Sequence, residues 1–148
     1  MLTALLIIFV IALAVAPLGY FLPGKRQREI VGMREYAAVH GLFVEFRDMP
    51  TVRGVPVSAR GMIYYGKRLP SSRAKPVESA VWVQTHEGWR SVGRRLPVPA
   101  PVQELSPDIS AASVDQSSCG VYWTESAGEA AVEQIRHILE NWCEALTQ

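Results

Sequence analysis

Cys119, Cys143 and the three histidines His40, His86 and His137 carry the nucleophile and metal-ligand chemistry of this 148-residue chain. A cysteine thiolate paired with a histidine makes a covalent catalyst, and Cys and His side chains at short, regular spacing hold zinc. The histidines fall on three unrelated stretches. His137 and Cys143 share one predicted helix, but six residues apart they point to different faces. Cys119 ends a long loop just before a strand, with no helix N-terminus and no basic neighbour in sequence to stabilise a thiolate. It reads as a small core residue. Two cysteines are too few for a disulfide framework, so both are expected as reduced thiols. No Walker loop, G-x-G-x-x-G, G-x-S-x-G, H-E-x-x-H or C-x-x-C occurs. No catalytic, cofactor-binding or metal residue is therefore assigned, no cofactor is expected, and no small-molecule substrate is evident.

Charge supplies the next candidates. Residues 1–103 hold 14 Lys/Arg against 6 Asp/Glu, a balance of +8, and residues 104–148 hold 1 against 8, a balance of −7. The basic residues Arg60, Lys67, Arg68, Arg73 and Lys75, with Arg47 and Arg53 beside them, form a candidate lipid- or partner-facing surface; the competing reading is a solvated face. Tyr64 and Tyr65 beside Lys67 and Arg68 have the make-up of a base-stacking platform, but a strand core explains them equally well, and no nucleic-acid partner is expected.

These residues need elements to position them. From Leu2 to Leu22 runs an uncharged apolar segment of 21 residues, as a helix about 31 Å long and matched to a bilayer core. Ala14-Val15-Ala16 has the small-residue pattern of a signal-peptidase site, but Pro17 follows it directly and no Lys or Arg precedes position 25. The segment is read as an uncleaved anchor, residues 1–24, with the domain in 25–148. Basic residues are retained on the cytoplasmic side. Lys25, Arg26, Arg28 and Arg34, with the interfacial aromatics Tyr20 and Phe21, thus predict an N-terminus outside and a cytoplasmic domain.

Within the domain, helical spacing covers Gln27–His40, with Gly41 as its stop. Strands are read at 42–46, around Met62–Tyr65, at 78–84 and 89–92 as a hairpin turning on Gly88, and at 119–123. Residues 97–118 read as one long Pro/Ser-rich loop. A capping box is expected at Ser126 and Glu129. Behind it Val132, Ile135, Leu139, Trp142 and Leu146 form the stripe of a C-terminal amphipathic helix. The expected fold class is α+β: one transmembrane helix, then a roughly four-stranded antiparallel sheet flanked by an N-terminal and a C-terminal amphipathic helix.

The apolar run and its junction, LPGKRQRE at 22–29, resemble uncharacterised bacterial single-pass inner-membrane proteins with a YajC-like layout. The resemblance spans roughly residues 1–35 and is architectural. It implies an external N-terminus, a cytosolic β-containing domain and a membrane-protein partner, and it assigns no site residue. The leading expectation is a membrane-tethered accessory or scaffold protein, acting through protein contacts and anionic lipid. The alternative is a small membrane-anchored enzyme with a site under the 97–118 loop near Cys119.

Overall fold

The computed structural model describes residues 1–50, 62–72 and 75–148. The chain divides into two compact units, Met1–Val31 and Gly32–Gln148. In the first, α1 (Leu2–Val15) passes into a 3-10 stretch (Ala16–Phe21) at Pro17, whose ring removes a backbone donor from the α-helical ladder. Leu22 is extended (φ −73°, ψ 123°), as the residue before Pro23 must be. Leu2–Phe21 is long and apolar enough to cross a membrane, a property that a signal sequence shares, and no side chain along it is buried. Helix α2 (Lys25–Val39) begins in this unit, and from Gly32 its residues belong to the second; Gly41, at φ +81°, supplies the left-handed residue that ends it.

The second unit is α+β, as expected, but among the described residues its antiparallel sheet has six strands rather than about four. They are β1 (Phe43–Glu45), β2 (Ile63–Arg68), β3 (Ala80–Thr85), β4 (Gly88–Ser91), β5 (Ile109–Val114) and β6 (Ser118–Trp123), in the order β1-β2-β6-β5-β3-β4. The second predicted strand, around Met62–Tyr65, forms as part of β2. The hairpin on Gly88 forms, with Gly88 at φ +108°.

The largest departure lies in 97–118. That stretch is not one loop: it holds α3 (Ala100–Gln103) and β5, which pairs with β3 on one side and β6 on the other. A strand covered on both faces need not alternate apolar and polar residues. Small side chains on β5 also sit opposite large ones, with Ala112 across from Trp82 and Ala111 across from both Val83 and Tyr122.

Successive side chains on each strand point to opposite faces, so the sheet has two cores. On one face Tyr65, Trp82, Cys119, Val121 and Trp123 lie in register rows that α4 (Glu129–Thr147) covers. Helix α4 buries Val132, Ile135, Ile138, Leu139, Trp142 and Cys143, and Trp142 meets Trp82 edge-on at 5.9 Å between ring centroids. On the other face Met49, Tyr64, Val83, Ala111 and Tyr122 form a cluster. Here Gly66 and Gly120 leave room for the Tyr64 ring: a Cβ at Gly66 would stand 2.5 Å from Tyr64 Cε1, and one at Gly120 would also overlap that ring. The expected capping box does not form, since the cap residue of α4 is Gly128 and no side chain hydrogen-bonds to the cap.

Candidate functional site

Cys119 sits in β6 under α4, wholly buried, with its Sγ 4.0 Å from the Leu139 carbonyl. The structure corrects one expectation: a basic residue does stand beside it, because Lys67 is its cross-strand partner. Burial outweighs that cation and pushes the Cys119 thiol up to about 12. Cys143 is buried too, and its thiol is likewise raised by burial. Neither has the exposed, electropositive setting of a reactive cysteine.

The histidines stay apart. His40 is exposed at the end of α2, stacked on Tyr36 at 4.0 Å with its Nδ1 2.7 Å from the Tyr36 carbonyl. His86 and His137 are exposed on the β3–β4 turn and on α4. Among the described residues no group of three metal-ligating side chains comes together.

The basic candidates are divided by the sheet. Lys67 and Arg68 are adjacent on β2 and therefore face opposite sides. Lys67 is half-buried near the thiols, whereas Arg68 is exposed with its guanidinium 4.8 Å from the Phe43 ring centroid. Arg47 lies 4.1 Å from the Tyr64 centroid, and its Nε donates to Glu45 at 2.6 Å. Lys75 is exposed, while Arg53, Arg60 and Arg73 lie outside the described residues. In the first unit Tyr20, Phe21, Lys25, Arg26 and Arg28 are all exposed, and Arg26 reaches Glu29 at 4.0 Å, a surface pair of little energetic consequence.

Arg34 has a role that charge counting did not anticipate. Its Nε and Nη2 donate to the two carboxylate oxygens of Glu125 at 2.8 and 2.9 Å, and the Tyr65 hydroxyl donates to the same carboxylate at 2.7 Å. The Glu125 side chain is 3% exposed and that of Arg34 is 32% exposed. Glu125 also holds φ +54°, a left-handed backbone that costs a residue with a Cβ free energy and persists only where surroundings enforce it. Phe46, exposed at the end of β1, lies over the Arg34 guanidinium at 5.4 Å. The pairing spans 91 positions, and nothing local to Arg34 or Glu125 marks it.

A cleft of about 460 Å³ opens between residues 75–82, residues 96–99, Val114 and the last turn of α4, floored by Trp82 and Trp142. Its rim carries Lys75 and also Glu78, which is ion-paired with Arg94. Neither described thiol is exposed, and where a hydroxyl does meet a carboxylate, Ser117 Oγ donating to Asp115 at 2.8 Å, the same carboxylate accepts from the Ser117 and Ser118 amides within the β5–β6 turn. What the described residues do bring together is a buried ionic clasp between a helix and the sheet. No protein family, curated protein or solved structure matches this chain.

Proposed function

We propose that this chain is a membrane-tethered accessory or scaffold protein of the bacterial inner membrane, single-pass, with its N-terminus outside and its domain in the cytoplasm. The observation that carries the reading is the uncharged apolar helix Leu2–Phe21 followed at once by three exposed cations, Lys25, Arg26 and Arg28. Loops rich in Lys and Arg stay on the cytoplasmic side, so this asymmetry sets the orientation. Tyr20 and Phe21 stand where interfacial aromatics are favoured.

Partner contact, rather than turnover, is the role of the domain in this reading. The enzymatic alternative places a site under residues 97–118 near Cys119, and the buried thiol there argues for packing instead. The basic junction adds attraction to anionic headgroups, about 1 kcal/mol for each Lys or Arg near the surface. The layout is YajC-like in this sense alone. Crosslinking in native membranes followed by affinity purification of the tagged chain tests the role: a stoichiometric membrane-protein partner supports it, and recovery of the chain alone counts against it.

A further inference from the structure

The cleft beside the end of α4 is apolar in its depth and charged only at its rim. Its floor is the edge-on pair Trp82 on β3 and Trp142 on α4, both buried. Residues 75–78 contribute Pro76 to the walls and residues 96–99 contribute Pro97 and Pro99, whose rings fix the backbone φ and bring no N–H donor. The volume of about 460 Å³ falls in the range of small-molecule sites, which are concave, mostly apolar and provided with few polar groups. At about 30 Å³ per non-hydrogen atom, the share of one water in the liquid, there is room for roughly 15 such atoms.

The rim decides the charge of the ligand. Glu78 is already paired with Arg94, and the last turn of α4 holds no basic residue. Lys75 is exposed there and makes no ion pair among the described residues; Arg95, next to the lining residue Leu96, makes none either. Among the lining side chains, Lys75 is therefore the charge without a partner.

We propose that this cleft binds a single-chain anionic amphiphile, a fatty-acid-type carboxylate of about a dozen carbons, with its chain over Trp82 and Trp142 and its carboxylate at Lys75. Burial of the chain supplies the affinity. The rim supplies the selectivity, because a carboxylate and an ammonium on the same chain bury the same surface and differ in the sign that Lys75 meets. This site goes beyond the scaffold role and depends neither on a protein partner nor on membrane orientation.

Photoaffinity labelling of the full chain in nanodiscs of neutral phosphatidylcholine tests it. The probe is dodecanoate with a diazirine at its tail, used at mildly alkaline pH so that the carboxylate is ionised, and labelled peptides are mapped by mass spectrometry. Label is expected in residues 75–82, 96–99 and 142–148. Label along Leu2–Phe21, from probe dissolved in the lipid, serves as the reference. Excess dodecanoate should displace the cleft label, and dodecylammonium should do so roughly ten-fold less well. Lys75→Glu should lower the cleft label by a similar factor. Ala145→Trp, which fills the cleft from an exposed position, should lower it too, and both variants should leave the Leu2–Phe21 label unchanged. Equal displacement by the two amphiphiles, or cleft label that survives both substitutions, would overturn the proposal. So would label confined to Leu2–Phe21.

Discussion

The two ends of the clasp are not equivalent, and their difference is measurable. Arg34 keeps a third of its side chain in contact with water, whereas Glu125 keeps almost none. Arg34→Gln therefore takes the bidentate cation away from an enclosed carboxylate, a loss of about 3 kcal/mol for a buried pair broken from one side. Glu125→Gln leaves a cation that can reach solvent and an amide that Tyr65 can still approach, a loss nearer 1 kcal/mol. Urea unfolding of the two variants should show that order; equal losses, or the reverse order, would contradict the geometry. Burial sets a second residue-level expectation. It pushes the Cys119 thiol from 9.0 to about 12 and the Tyr64 phenol from 10.0 to about 12, and it raises Tyr65 as well. All three groups are neutral when protonated, so at alkaline pH the folded protein holds protons that the unfolded chain has released. Their contribution to stability is complete below pH about 9 and falls as pH rises toward about 12. Urea midpoints measured between pH about 8 and about 11 should decline, and neither cysteine should react with a mild thiol reagent at neutral pH. A flat profile, or rapid labelling of Cys119, would contradict the enclosed core.

At the scale of elements, what was legible depended on whether an element's neighbours leave a periodic trace. Helix α4 did: Val132, Ile135, Leu139 and Trp142 fall on its stripe and are all buried, with Ile138 and Cys143 widening it. The β3–β4 hairpin was marked by its glycine. Strand β5 left no trace, because a central strand lying between large residues on β3 and β6 is built from Ala and Ser, the residues that composition assigns to loops. Ser126 and Glu129 had the spacing of a capping box, but the helix begins one residue after Gly128 and the box is not made. The candidate site was less legible still. Lys67 beside Cys119 and Arg34 on Glu125 are products of strand register and long-range packing, which local patterns do not carry. The sheet's second core yields a prediction of its own. Gly120 and Gly66 have ordinary backbone angles and are required only for space, since the fully buried Tyr64 ring occupies the volume of their missing side chains. Gly120→Ala should cost about 1–3 kcal/mol, as overpacking does, and Tyr64→Leu in the same chain should recover part of the loss. Additive losses in the double variant, read by urea unfolding, would place the conflict elsewhere.

For the whole molecule, the central claim is that Leu2–Phe21 stays in the membrane and that the cations behind it hold the domain in the cytoplasm. The strength of that claim rests on the contrast between an apolar segment with no buried side chain and a domain whose sheet is packed on both faces. Reversing the flank charge, with Lys25→Glu, Arg26→Glu and Arg28→Glu together, should remove the orientation signal and give mixed topology while leaving the domain folded. The most direct measurement is protease accessibility in spheroplasts expressing the unaltered chain with a C-terminal tag. The account predicts that residues 25–148 stay intact while the inner membrane is closed and are digested once it is opened. Digestion of the domain in intact spheroplasts, or recovery of a mature chain lacking its first sixteen residues, would contradict it and identify Ala14-Val15-Ala16 as the end of a cleaved signal.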